Sequence, residues 1–140
     1  MILRTYFTFS ADFPDDAEWD AKGNLVRPGG LAIAEFISRG TGSRGMPTTA
    51  PRQHNFYGWA FEVLHKGVNV WCLLQGGEPW LFLTDVPRSI WGTLTGRRHT
   101  EVHNEVVQVI AEVLLEDTRF VDVTAFTKDE YLALQRRDRI

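Results

Sequence analysis

Apolar and polar positions alternate on both sides of Lys66-Gly67, which predicts a β-hairpin whose two faces differ. The flanking runs are FYGWAFEVLH and VNVWCLLQ. A turn on Lys66-Gly67 places His65 opposite Val68, Val63 opposite Val70, Phe61 opposite Cys72 and Trp59 opposite Leu74. Side chains alternate along a strand, so these residues share one face, apolar almost throughout, that must be covered. The same register sets Leu64 opposite Asn69, Glu62 opposite Trp71, Ala60 opposite Leu73 and Gly58 opposite Gln75. That second face mixes charge, amide and large apolar groups, which suits partial exposure. A slip of one residue would exchange the faces, and the alternation argues against it.

A third apolar run, WLFLTDV at 80–86, reads as the next strand. Near the start, Leu3, Thr5, Phe7 and Phe9 alternate and predict a strand over residues 2–9. ADFPDDAEWDAKGN is a polar connection ending in a turn at Lys22-Gly23-Asn24, where Trp19 and Leu25-Val26 would flank a short hairpin. Pro28-Gly29-Gly30 then opens a helix, LAIAEFIS, with proline suited to the first turn and Gly40 marking the end. Residues 38–55 lack an apolar period and are dense in Gly, Ser, Thr and Pro, so they predict a long loop.

TEVHNEVVQVIAEVLLED predicts a helix capped by Thr100, with Glu101 at the positive end of its dipole. Val102, Val106, Val109, Ile110 and Val113 form its buried stripe. Residues 119–127 predict a last strand of strict alternation, and Thr127-Lys128-Asp129-Glu130 a capping box opening a short helix. This order predicts an α+β fold: a mainly antiparallel sheet of about five strands with two helices packed on one face.

The 140 residues fit a single domain, 1–140. A hydrophobic content of 44% with 24% charged residues argues against disorder. No apolar run nears the roughly 20 residues a bilayer helix needs, so no membrane partner is expected. The start, MILRTYFTFSADF, does not read as a signal peptide. The one cysteine, Cys72, has no disulfide partner within the chain and falls on the apolar face, so a reduced cytoplasmic protein is expected. A net charge of −3 gives no general pull toward nucleic acid. Glu62, Asn69 and Gln75 stand where a nucleic-acid platform needs basic residues.

Candidate chemistry is sparse. Gly40-Thr41-Gly42-Ser43-Arg44-Gly45 has the glycine spacing of a dinucleotide fingerprint, but a helix precedes it and Met46-Pro47 follows, the reverse of what pyrophosphate binding needs. His99 and His103 are four apart, yet a cap at Thr100 leaves His99 outside the helix, and Thr100 stands where a zinc protease needs glutamate. Asp16, Glu18 and Asp20 alternate like a calcium loop, but Ala21 and Arg27 replace its glycine and final glutamate. No serine sits in a nucleophile elbow, and Glu62 has no assigned partner for acid–base work. No catalytic residue, metal or cofactor is assigned.

A tryptophan beside a carboxylate on a half-exposed face has the character of a binding anchor, since indole gives much contact area at low entropic cost. The bland alternative is that a loop such as 38–55 covers Trp71. The expected partner surface is Glu62, Trp71, Asn69 and Leu73, with Asp16 and Glu18 of the acidic 12–20 segment and the 38–55 loop as further candidates. Phe56-Tyr57-Gly58-Trp59, the Trp71 and Trp80 strands and the closing helix with Phe120 to Phe126 give a layout that resembles the small cytoplasmic α+β proteins bacteria encode beside secreted toxins as immunity partners. That resemblance implies a protein-binding module that inhibits a toxin, and it transfers no site residue. A second expectation is a small-ligand binder or enzyme with a pocket between the sheet and loop 38–55, lined by Trp80, Trp91 and His54. A third is self-association through an unpaired edge strand.

Overall fold

Lys66 and Gly67 take φ values of 49° and 75°, the pair of left-handed residues that a two-residue hairpin turn demands. The computed structural model describes residues 2–55, 58–87 and 92–138. Among these the chain runs β1 (Tyr6–Ala11), β2 (Glu18–Trp19), β3 (Leu25–Arg27), α1 (Leu31–Ser43), β4 (Arg52–His54), β5 (Gly58–His65), β6 (Val68–Gln75), β7 (Trp80–Asp85), α2 (Gly92–Glu116), β8 (Phe120–Phe126) and α3 (Lys128–Asp138). β2 and β3 form the short ribbon expected around Lys22-Gly23-Asn24. The other described strands make one antiparallel sheet of six in the order β4-β5-β6-β7-β1-β8. The fold is α+β, and the β5–β6 register is the one the alternation dictates, from Gly58 opposite Gln75 to His65 opposite Val68.

Two helices seal the apolar face. Phe7, Phe9, Phe61, Val63, Val70, Cys72, Leu74 and Phe82 are buried there against Ile33, Ala34 and Ile37 of α1 and Val106, Ile110 and Leu114 of α2. Each valine, leucine, isoleucine or phenylalanine among them contributes about 1.5–3 kcal/mol on leaving water. Trp59 is 5% exposed, and its indole N–H donates to the Pro28 carbonyl (3.1 Å).

Several boundaries differ from the sequence expectations. Gly40 does not end α1, which continues to Ser43. A Cβ on Gly40 would lie 2.9 Å from Val113 Cγ1, so the glycine serves the close approach of α1 to α2. Arg44, just past the helix, ties the pair further through Glu112 (3.9 Å) and Glu116. Pro28 precedes the first turn instead of occupying it; the N-cap is Gly30, in the left-handed region at φ 105°. α2 begins at Gly92, so Thr100 is internal and His99 is helical.

The 38–55 segment is not a long free loop. Its first six positions complete α1, and the remainder strings itself along β5. Thr48 bridges to Val63, Leu64 N–H donates to the Pro47 carbonyl (2.8 Å), and Thr49 N–H donates to the Glu62 carbonyl (3.0 Å). β4 then pairs Arg52 with Ala60 and His54 with Gly58. Backbone hydrogen bonds hold this edge, so it carries no hydrophobic period.

Strict alternation fails in β8. The β1–β8 register shifts between Thr8 and Ser10, and Asp122 sits at φ 55°. This bulge turns Phe120 into the core while Thr124 and Phe126 face the other way. The capping box at Thr127 forms as expected: Glu130 N–H donates to Thr127 Oγ1 (3.1 Å) and Thr127 N–H to Glu130 Oε1 (2.8 Å). Tyr131 of α3 packs on Tyr6 (5.3 Å) and Phe126 (6.3 Å). A third helix therefore shields the β1/β8 end of the second face. Phe56, Tyr57 and Trp91, named in the sequence expectations, lie outside the described residues.

Candidate functional site

Cross-strand pairing builds the site. Trp71 of β6 stands opposite Glu62 of β5 on one side and Asp85 of β7 on the other, so the tryptophan occupies one row with an acidic residue on each neighbouring strand. Directly opposed residues in an antiparallel pair hold their Cβ atoms about 5 Å apart. Both carboxylates are exposed and Trp71 is half-buried. Among the described residues, neither carboxylate nor the indole N–H has a hydrogen-bond or ion-pair partner. Toward the hairpin tip the next row holds Leu64, 48% exposed, opposite Asn69, also exposed.

The loop-cover alternative for Trp71 is met only in part. The ring of His54, at the end of the 38–55 segment, stands 5.4 Å from the indole at 71°. It edges Trp71 without burying it. The small Ala60 separates the two in the sheet, which leaves room for the indole to reach across.

The structure divides the expected partner surface. Glu62, Trp71 and Asn69 lie together on the second face, but Leu73 is 4% exposed and presents no area to a partner. Asp16 is occupied with α1: its carboxylate accepts from Gly30 N–H (2.7 Å) and Ala32 N–H (2.8 Å), capping the helix from outside the chain's local sequence. Glu18 pairs with Arg27 at 2.9 Å across the β2–β3 ribbon. Asp20 caps the ribbon's turn; the Asn24 backbone N–H, with that of Lys22, holds its pKa below the usual value. The acidic 12–20 segment thus works mainly within the fold. Asp85 was missed, because nothing in WLFLTDV fixes its register against β6, and His54 was named for a pocket and not for this face, because the edge strand carrying it reads as loop.

Other chemical groups are also engaged. His103 is 6% exposed; the Thr84 hydroxyl donates to the Thr5 carbonyl (3.2 Å) and accepts from His103 Nε2–H (2.7 Å). Burial pushes the His103 pKa down, with the charge of Asp85 opposing. His65 is no isolated turn residue: it meets Glu105 of α2 at 2.6 Å, and Lys66 meets the same carboxylate at 3.0 Å, so the hairpin tip is tied to the helix. The Lys66 hydrogen bond, then that of His65, lowers the Glu105 pKa. Burial, with the negative Glu62 adding to it, pushes the Cys72 thiol far up, which makes it a poor nucleophile. Although His99 and His103 share a helix, no cluster of three metal-ligating side chains occurs among the described residues.

Of the residues named for a pocket between the sheet and loop 38–55, Trp91 lies outside the described residues and the other two stand on opposite faces of the sheet. His54 lies on the second face, whereas Trp80 pairs with Phe9 on the core face and crowds Gly30. An open groove of about 620 Å³ runs instead along the outside of α1, past Phe13, Phe36, Arg39 and Arg119. The Arg119 guanidinium covers Phe13 (4.3 Å) and Phe36 (4.8 Å) and is held by Asp117. That Arg119 hydrogen bond takes the Asp117 pKa down to about 2. Arg119 is therefore spent inside the fold, and Arg39 stands 3.8 Å from Glu35 one turn before it. The sheet edges are blunt: β4 has three residues, and β8 carries its bulge. No described helix is long and apolar enough to cross a membrane. Comparison with family models, with curated proteins and with solved structures finds no match to this chain.

Proposed function

We propose that this chain is a protein-binding module whose contact surface is the second face of the sheet, centred on Trp71. The observation that carries the reading is the contrast between the faces. Trp59, Phe61 and Val63 are sealed under α1 and α2, while on the reverse the side chains of Glu62, Trp71 and Asp85 have no hydrogen-bond or ion-pair partner among the described residues. Half-exposed tryptophan ringed by polar groups is the composition of an interface anchor. A stable interface takes about 800 Å² from each partner, an area within reach of a sheet face and the β5–β6 hairpin tip.

Within this reading, the toxin-immunity resemblance supplies the finer form of the proposal: an inhibitor that covers a toxin's active site. It rests on layout alone. Of the lining expected for a small-ligand or enzyme pocket, His54 and Trp80 stand on opposite faces of the sheet, and the blunt edges weigh against self-association by strand addition. Affinity capture from native lysate with neighbouring gene products co-expressed tests the proposal. A stoichiometric protein partner retained by the wild type and lost with Trp71→Ala supports it. No stoichiometric partner, or one held equally well by Trp71→Ala, overturns it.

A further inference from the structure

We infer that the Glu62–Trp71–Asp85 row receives a lysine or arginine side chain from a basic segment of the partner protein. The inference rests on the protein-binding reading of this face and names the chemistry of its occupant. The charge on this face follows from what the rest of the fold has used. Asp16, Glu18, Glu105, Glu112, Glu116 and Asp117 are all engaged by backbone N–H groups or by cations. Among the described residues Glu62 and Asp85 are not, and the sheet register places them on the two strands that flank Trp71.

Each part of a basic side chain finds a complement. A cation over an indole face is attracted by the ring's quadrupole, and tryptophan is the strongest aromatic partner for it. Flanking carboxylates accept its N–H groups in charge-assisted bonds. The aliphatic stem needs apolar surface, which Leu64 offers at 48% exposure one row away. An acidic side chain in the same place would meet two like charges, and an aliphatic one would strip both carboxylates of water without return. Among the described residues, nearby cations do not fill the row. Arg4 turns to Glu130 at 3.5 Å, Lys66 to Glu105 at 3.0 Å, and Arg52 projects from the row of Ala60 without pairing with Glu62.

Selection of a random displayed-peptide library on the intact chain, with counter-selection on Trp71→Ala, tests this. Enriched peptides should share a lysine or arginine at a fixed position. Replacing that residue with alanine should weaken binding at least tenfold, as should Glu62→Gln with Asp85→Asn in the protein. Those two replacements are isosteric and exposed, so the fold is kept. Peptides that depend on Trp71 yet carry no basic residue, or that bind the double variant equally well, overturn the inference while leaving the protein-binding reading standing. Failure to enrich any Trp71-dependent peptide overturns both.

Discussion

Replacing Gly40 with alanine should destabilise the protein, although the same change in an ordinary exposed helix stabilises. Alanine is favoured over glycine inside a helix by about 1 kcal/mol. Here the new Cβ would fall 2.9 Å from Val113 Cγ1 and 3.2 Å from Cγ2. Val113 is 2% exposed and β-branched, so its rotamer is fixed by the helix and it has nowhere to swing. Forcing a methyl group into such a contact costs about 1–3 kcal/mol, which outweighs the propensity gain and leaves a net loss of about 1 kcal/mol. Gly42→Ala is the control: its Cβ would meet only Thr48 Oγ1 at 3.4 Å, an ordinary contact, so it should be neutral or stabilising.

Urea unfolding followed by far-ultraviolet circular dichroism measures all three proteins. A double-mutant cycle sharpens the result. Val113→Ala alone removes two methyl groups, about 1.6 kcal/mol before any cavity term. In the Gly40→Ala background it also relieves the clash, so the pair should cost at least about 1 kcal/mol less than the sum of the two singles. A Gly40→Ala protein more stable than wild type by about 1 kcal/mol would refute the claim that α1 and α2 touch at this glycine.

Asp16→Ala should cost about 1–2 kcal/mol, because the N–H groups of the N-cap Gly30 and of Ala32 in the first turn of α1 lose their acceptor and the dipole loses its counter-charge; Asp16→Asn, which keeps an acceptor oxygen, should cost less. Thermal unfolding of the two variants separates this capping role from a merely solvated carboxylate, for which both changes would be neutral. The pH dependence of stability should carry the mark of His103, whose folded pKa lies below the ordinary 6.5. The unfolded chain then takes up a proton that the folded chain resists, so the stability His103 confers is present above about pH 6.5 and is lost as pH falls toward its folded pKa, at up to about 1.4 kcal/mol per pH unit. Between pH 7 and pH 5 the stability gap between wild type and His103→Gln should narrow; a constant gap would contradict the burial argument.

The features legible in the sequence are those written in side-chain period. The β5–β6 register, the apolar face of Trp59, Phe61 and Val63, the β2–β3 ribbon and the Thr127 capping box all follow from local alternation or local hydrogen bonding. Features set by contact between distant segments were not legible. Gly40 reads as a helix stop because its reason, Val113, lies in another helix. Residues 47–54 read as loop because their bonds to β5 run through the backbone. The bulge at Asp122 breaks an alternation that looks regular on paper. Of the site, Glu62 beside Trp71 was visible from one hairpin; Asp85 required the β6–β7 register, and the capping role of Asp16 required the position of α1.

The claim on which the functional reading stands is that one tryptophan of the hairpin holds the fold and the other is left for a partner. Comparing the unfolding free energies of Trp59→Ala and Trp71→Ala tests it most directly. Trp59 is 5% exposed with its N–H bonded to Pro28, so its truncation should cost about 3–5 kcal/mol. Trp71, half-buried with no hydrogen bond to a described residue, should cost under about 1.5 kcal/mol. Equal losses, or a larger loss at Trp71, would mean that the second face is part of the core and not a surface kept for binding.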